Sequence, residues 1–368
     1  MNDFLIVGGG IIGMMSALRL AEAGAAVTVI ERHRCAHEAS WAGGGIVSPL
    51  YPWRYDAPVT ALASYAEQLY PQLAEQLTKT TGIDPQFTPG GIFYLRVEDE
   101  VSARTWASVC DKRLETASSE ILETKLASVT ASSYPALWMP DLGSIRTPRL
   151  GQALRERLLQ LSNVTVIEHT QVHGINVKAG VALGVETSQG AFESGHVVVA
   201  GGAWTAQLIE PLGSRLPIYP VKGQMLLFKA TPGLLGHVVL MNGHYLIPRR
   251  DGLILAGSTF ENVGFDKSLP DEGYRQLHTQ ALDIMPALQH CEVVHHWAGL
   301  RPGTPDSIPF IGALPGVARL SINAGHFGNG VMMAPAAGQL LSDLLLGNAP
   351  IVDPMPYQLK EATSAMQL

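Results

Sequence analysis

The hydrophobic pattern changes period within the first thirty residues. Phe4 to Val7 is an unbroken apolar run, as a parallel strand buried on both faces requires. From Ile11 to Ala23 the apolar positions take helical spacing, with Ile12, Ala17, Leu20 and Ala21 on the predicted inner face. Gly24 supplies the stop, and Val27 to Ile30 predicts a second strand. Val164–Ile167, Val172–Val177 and Val181–Thr187 read as further short strands, and His196–Ala200 as a buried one ending at Gly201-Gly202. Near the far end, Leu320–Ala324 predicts a strand, Gly325, Gly328 and Gly330 a loop, and Val331–Leu346 a helix rich in Ala and Leu.

A different pattern occupies the middle. "GGIFYLRV" (Gly90–Val97) starts it, and "IYPVKGQMLLFKA", "VVLM", "HYLIPRR", "GLILAGS" and "EVVHHWAG" resume it. Alternating and β-branched residues, with turn signals such as Arg250-Asp251-Gly252, predict a mainly antiparallel sheet. The expected fold is α/β: a Rossmann-like nucleotide-binding domain of residues 1–85, 145–217 and 303–368, interrupted by a β-sheet domain of residues 86–144 and 218–302.

The first turn carries chemistry. Gly8, Gly10 and Gly13 stand in G-x-G-x-x-G spacing between strand and helix, and Glu31, 18 residues beyond Gly13, ends the second strand. Gly8 permits the tight turn, Gly10 lets a pyrophosphate approach the backbone, and Gly13 lets helix and strand pack closely. The helix N-terminus offers N–H groups and a positive dipole end to phosphate, and Glu31 can accept ribose hydroxyls. Strand, glycines, helix, strand and acid in this order predict a bound dinucleotide. A nicotinamide domain would continue with alternating strands and helices. Ser40 leads instead into Gly43-Gly44-Gly45 and a loop rich in proline and aromatics.

Composition narrows the classes. The chain has 368 residues, 46% hydrophobic and 15% charged, which suits a packed two-domain enzyme and not a disordered chain. A net charge of -7 opposes a nucleic-acid partner and a polybasic membrane anchor. The three cysteines, Cys35, Cys110 and Cys291, are far apart and lack metal spacing, so neither a disulfide framework nor a metal site is expected. The N-terminal stretch has no basic n-region, and no apolar run is long enough to span a membrane, so a cytoplasmic enzyme is expected.

Seven segments spread along the chain resemble the FAD-dependent amine and D-amino-acid oxidase family, especially its glycine oxidase branch. They are Val7–Glu31, Ser40–Gly45, "VVVAGGAWT", "PVKGQ", "YLIPRRDGLILAGST", "GLRPGTPD" and "GHFGNGV". The resemblance implies a glutathione-reductase-type FAD domain and FAD as cofactor. It places Gly8, Gly10, Ile11, Ile12, Gly13, Glu31, Arg32, Ser40, Ala42, Gly43, Gly44 and Gly45 along the FAD. Val172 falls near the adenine, and Ala200, Gly201 and Trp204 line the cofactor, although core packing suits Trp204 as well. His326, Phe327, Gly328, Asn329, Gly330 and Val331 form a second glycine loop at the flavin pyrimidine edge. There a helix N-terminus would stabilise the anion formed on reduction.

The same resemblance makes Arg301 the clamp of a substrate carboxylate and brings the Tyr245 hydroxyl to that carboxylate. Guanidinium suits the task, being planar, always charged and able to donate two parallel hydrogen bonds. His244 points to the opposite face of the strand and is set aside. The implied reaction is oxidation of glycine or small D-amino acids to imino acids by hydride transfer to flavin N5. With oxygen as acceptor the co-product is hydrogen peroxide, and thiamine thiazole synthesis is the implied setting. A D-amino-acid dehydrogenase with another acceptor and a sarcosine-type N-methyl amine oxidase stay open. So does, from another class, an FAD-dependent transfer-RNA modification module, which the acidic balance opposes. Gly328 stands where glycine oxidases often carry a basic residue, which leaves glycine specificity open. The turn after Arg301 lacks the cysteine of members with covalent flavin, so noncovalent FAD is expected. The loop Tyr51–Pro58 reads as a lid, an interface or plain surface, and a homo-oligomer is left open.

Overall fold

The computed structural model describes residues 2–130 and 136–359. The expected segments 86–144 and 303–368 extend over residues 131–135 and 360–368, which lie outside the described residues. The first sheet runs in the order Phe310–Ala313, Leu320–Ala324, Gly190–Val199, Asn2–Val7, Val27–Ile30, Val164–Ile167. Asn2–Val7 lies between two parallel partners, Val27–Ile30 and Gly190–Val199. Leu5 and Ile6 point to opposite faces of the sheet and are both fully buried, each in a different core cluster. Val172–Lys178 and Val181–Thr187 form an antiparallel extension on the lower half of Gly190–Val199, which is why that strand starts six residues earlier than its apolar run predicts.

The second sheet has the order Glu292–Gly303, Tyr219–Lys229, Leu253–Gly257, His244–Pro248, Val238–Met241, Ile92–Leu95, Leu137–Met139, Glu115–Thr116. It is antiparallel except where Val238–Met241 meets Ile92–Leu95. Its last strand continues through Arg301 to Gly303, so Arg301 sits within a strand and not after it. We propose that the two sheets are the cores of two domains divided as the sequence suggests.

One layer of helices packs on the first sheet, and the long helix Ala57–Thr81 packs on that layer. Ile11–Glu22 is buried nearly all round, because the C-terminal helix Gly330–Leu346 packs on its outer side. Ile12, expected on the inner face, is only half-buried. The third helix, Ala57–Thr81, has 25 residues and buries Leu62, Ala66, Tyr70, Leu73 and Leu77. The Tyr70 hydroxyl donates to the carbonyl of Val331 and ties this helix to the start of the C-terminal one.

Gly8 and Gly13 set where the first helix begins. Gly8 has φ +111°, a left-handed value that a side chain would strain. A Cβ at Gly13 would overlap the Gly8 carbonyl oxygen. The helix therefore lies directly on the turn. Gly10, with φ -69°, has only the Ser40 hydroxyl within 3.4 Å of a Cβ built on it. Gly13→Ala should cost about 1–3 kcal/mol of stability, the usual range for overpacking. Gly10→Ala should cost less than about 1 kcal/mol. Denaturant unfolding of both variants checks this, and equal losses would contradict the packing account.

Candidate functional site

A cavity of about 390 Å3 runs between the two sheets, from the first glycine turn to Arg301 and Tyr245. One wall comes from the strand ends of the first sheet, the other from the strands that carry Gly223, Tyr245 and Arg301.

At the nucleotide end, Gly8, Gly10, Ile11, Ile12, Glu31, Arg32 and Ser40 line the cavity. Gly13 does not, since within the helix it faces the turn at Gly8. Ser40 Oγ accepts the Ile11 N–H at 2.9 Å, so one of the helix N-terminal donors is already capped from within the chain. The remaining turn still presents its dipole to the cavity. Glu31 is held by two backbone donors, Gly9 N at 2.8 Å and His33 N at 3.0 Å, which fixes its carboxylate at the cavity wall. Val172, Ala200, Gly201 and Trp204 line the same end. Trp204 is half-buried and not a core residue; the Arg32 guanidinium lies 3.7 Å over its ring and forms a flat platform.

At the other end, Ala42, Gly43 and Gly44 face the cavity. Gly45 does not. Its φ is +80°, and a Cβ there would overlap the carbonyl of Ile145, so it turns the chain away and packs. Half-buried Arg249 holds this loop by donating to Gly44 O at 2.7 Å and Ile145 O at 3.2 Å. Burial lowers its pKa to about 10, which still leaves it charged at neutral pH.

The second glycine loop brings His326, Phe327, Gly328, Gly330 and Val331 to the cavity. Asn329 instead sits at the N-cap of the helix, buried, outside the lining. His326 is 1% exposed, and neither ring nitrogen has a hydrogen-bond partner among the described residues. Burial lowers its pKa to about 3, so the imidazole stays neutral and keeps one donor and one acceptor to offer. An orphaned imidazole and a helix N-terminus at one end, with a carboxylate and a glycine turn at the other, suit a long ligand with hydrogen-bonding heads at both ends. FAD has that form, and these residues fit it.

Arg301 and Tyr245 meet in this cavity. The guanidinium lies against Gly223, where a Cβ would overlap it. Nη1 donates to the carbonyls of Lys222 at 3.3 Å and Thr259 at 3.2 Å, and Nη2 to Ser258 Oγ at 2.7 Å. All three acceptors are neutral, and among the described residues Arg301 forms no ion pair. Tyr245 is 6% exposed, with its hydroxyl 3.4 Å from Met225 Sδ. His244 lies outside the lining, as strand alternation requires. A Cβ at Gly328 would meet only Arg301 Cδ, at 4.0 Å, so space beside the arginine is open.

Three features escaped the sequence. Gly223 lies in the "PVKGQ" run, but nothing local marks it as the seat of a guanidinium. Met225 follows two positions on, as strand alternation from Gly223 would suggest. Arg249 closes a strand beside Arg250, and only burial separates the two. Of the segment from Tyr51 to Pro58, Tyr51 and Trp53 are buried in the second sheet's core, and Trp53 and Arg54 both donate to Asp99. Tyr55, in the same segment, lies beside Asn329 and Arg301. Cys291 lies at the start of the strand that reaches Arg301 only ten residues later.

The sequence profile of the FAD dependent oxidoreductase family (DAO) matches residues 3–344. The glycine oxidase of Pseudomonas aeruginosa is 44% identical over 353 residues, covering 96% of this chain and 97% of that protein. The glycine oxidase of Pseudomonas putida is 43% identical over 356 residues, covering 97% and 98%. The crystal structure of glycine oxidase from Geobacillus kaustophilus superposes with a TM-score of 0.92 at 29% identity, covering 98% of each chain. With the fold, the two-ended cavity and these similarities in agreement, the chain belongs to the DAO family of FAD-dependent oxidoreductases, and FAD is its cofactor.

Proposed function

We propose that the protein oxidises glycine and small D-amino acids to the corresponding imino acids, with oxygen as the acceptor and hydrogen peroxide as co-product. The observation that carries this reading is Arg301: a cavity-lining guanidinium held by three neutral acceptors, with its charge uncompensated by any described carboxylate. A substrate carboxylate completes that site. The similarity to the Pseudomonas glycine oxidases supports the choice of substrate.

Bound FAD supplies the two-electron acceptor for the substrate C–H bond. The chain's own residues do the rest. Arg301 binds the carboxylate and Tyr245 donates its hydroxyl to it, which fixes the α-carbon by two anchors. Glu31 and the glycine turn hold the nucleotide end, while His326 and the C-terminal helix hold the flavin end. Helix dipole and neutral imidazole supply donors where negative charge develops, and the enclosed cavity strengthens their effect. No acid or base side chain is needed when the amine arrives neutral. Thiamine thiazole synthesis, a cytoplasmic location and noncovalent attachment of FAD belong to the same proposal.

Purified protein should be yellow, and acid should release intact FAD into the supernatant; flavin left on the denatured chain would refute noncovalent attachment. Gly10→Leu should fold but carry little flavin, because its side chain enters the pyrophosphate approach. Circular dichroism and flavin content distinguish this from simple misfolding.

Arg301→Ala should slow anaerobic flavin bleaching by subsaturating glycine or D-alanine by roughly tenfold to 150-fold, from the ~1.5–3 kcal/mol of a charge-assisted hydrogen bond. Arg301→Lys should recover part of the rate, keeping the charge without the planar fork. Flavin content should stay near wild type, and amines lacking a carboxylate should be indifferent to either change. An unaltered rate in Arg301→Ala would move the clamp elsewhere. Readmitted air should restore the oxidised spectrum; persistent bleaching would favour a dehydrogenase.

A further inference from the structure

The segment between the strand Leu253–Gly257 and the helix Asp271–Ile284 leaves the second sheet and reaches the first cavity wall. Its first residues, Ser258 and Thr259, accept from Arg301. Phe260 then stands edge-on to Phe327, with ring centroids 5.7 Å apart. Both ends of the stretch from Glu261 to Ser268 are tied to one ammonium. Lys222, 2% exposed, places Nζ 2.8 Å from Glu261 Oε2 and donates to Ser268 O at 3.1 Å. Backbone bonds in both directions strengthen the tie at Glu261. Within the loop, Gly264 turns the chain at φ +63°, and the Asp266 carboxylate accepts from the N–H and the hydroxyl of Ser268.

The tip of this loop meets the nucleotide end of the cavity. Phe265 packs on Trp204, centroids 5.5 Å apart, and Lys267 Nζ lies 3.0 Å from Glu38 Oε2. Trp204 and Glu38 both line the cavity, and Arg32 joins them, 3.7 Å over the Trp204 ring and 3.0 Å from Glu38. The two walls follow different strands. Trp204 comes after Gly190–Val199 and Glu38 after Val27–Ile30, and these strands flank Asn2–Val7. The glycine turn that ends Asn2–Val7 therefore lies between them. No residue from 258 to 270 lines the cavity, so the loop grips its walls from outside. Phe260 is 64% exposed and Phe265 39%, so neither serves a core; the ring partner of each is a cavity-lining residue.

We propose that residues 261–268 form a clasp that retards the release of FAD. Phe265 and Lys267 are positioning residues that act through Trp204 and Glu38, and Lys222 closes the loop behind them. The inference rests on noncovalent attachment of FAD. A dinucleotide seated on the glycine turn leaves when the walls beside it part. The clasp ties both walls to the second sheet through a compact loop whose ends share one anchor. The arrangement also gives the buried lysine a use. Its desolvation is offset by the pairing with Glu261 and Ser268, and what it secures is closure of a loop that would otherwise pay the entropy of joining its ends.

The test follows FAD lost from diluted holoprotein, collected by rapid ultrafiltration and read by its fluorescence. Flavin that acid cannot release from wild type overturns noncovalent attachment and the clasp together. Otherwise Phe265→Ala should lose FAD about two- to tenfold faster than wild type, the range of an aromatic pair, with an unaltered circular dichroism spectrum. Phe265→Tyr, which keeps the ring, should stay within about twofold of wild type. Lys267→Gln should lose FAD about twofold faster at low salt and at the wild-type rate in about 1 M salt, where an exposed pair is screened. Asn262→Ala, on the same exposed loop, should match wild type. A wild-type rate in Phe265→Ala overturns the proposal, and so does equal acceleration by Asn262→Ala, which would make the loop general packing. A Lys267→Gln effect that is absent at low salt, or undiminished at high salt, strikes the ion pair from the clasp. Should Phe265→Ala not accumulate as holoprotein, Phe265→Leu decides, with release at least about twofold faster expected and a wild-type rate refuting the clasp. Substrate plays no part in the measurement, so its outcome is independent of the Arg301 clamp.

Discussion

The closeness of Gly13 to the carbonyl of Gly8 governs the architecture of this site. Without a side chain between helix and turn, the helix axis ends at the edge of the parallel sheet, so its dipole opens into the cavity. The C-terminal helix meets the first one at a second close approach, Gly338 against the backbone of Met15. Asn323, in the strand before that helix, donates to Ser16 Oγ and Ala337 O and so joins the two helices. A larger residue at Gly13 would push the first helix off its turn and carry the nucleotide end of the cavity with it.

Arg301 illustrates the complementary constraint, that of charge in a half-enclosed place. Neutral acceptors orient a guanidinium without discharging it, because a carbonyl dipole satisfies an N–H but leaves the net charge intact. Arg249 follows the same rule beneath Gly44, where two carbonyls hold a half-buried cation. The two arginines differ in what faces them. One lies outside the cavity and stiffens a loop; the other looks into open space beside Gly328.

Much of the fold was legible in the sequence because its signals are local. A strand, a glycine turn, a helix and an acid within thirty residues carry their own periodicities, and the strands of the second sheet are marked by alternation and turns. The long helix Ala57–Thr81 was readable too but lay unread behind the proline-rich loop. Asp56 and Pro58 mark its start, apolar residues recur every three or four positions, and Gly82 at φ +72° ends it. Other features had no local sign. Gly45 and Asn329 belong to glycine-rich runs whose neighbours do face the cavity, and only three-dimensional packing turns these two away. The pairing of Lys222 with Glu261 joins residues 39 positions apart through an isolated bridge, and no spacing rule anticipates it.

The interlock of the terminal segments also bears on biogenesis. The cavity draws on the first forty-five residues, on strands near the middle of the chain, and on the helix that starts at Gly330. While a ribosome is still synthesising the middle of the chain, the first glycine turn exists but the surface meant to cover its helix does not. Met14, Met15 and Leu18, buried in the finished protein, then have no C-terminal helix to meet. Loops closed over hundreds of residues form late and slowly. The nascent chain therefore carries an exposed apolar helix through most of translation, and cofactor capture is an event of the completed polypeptide.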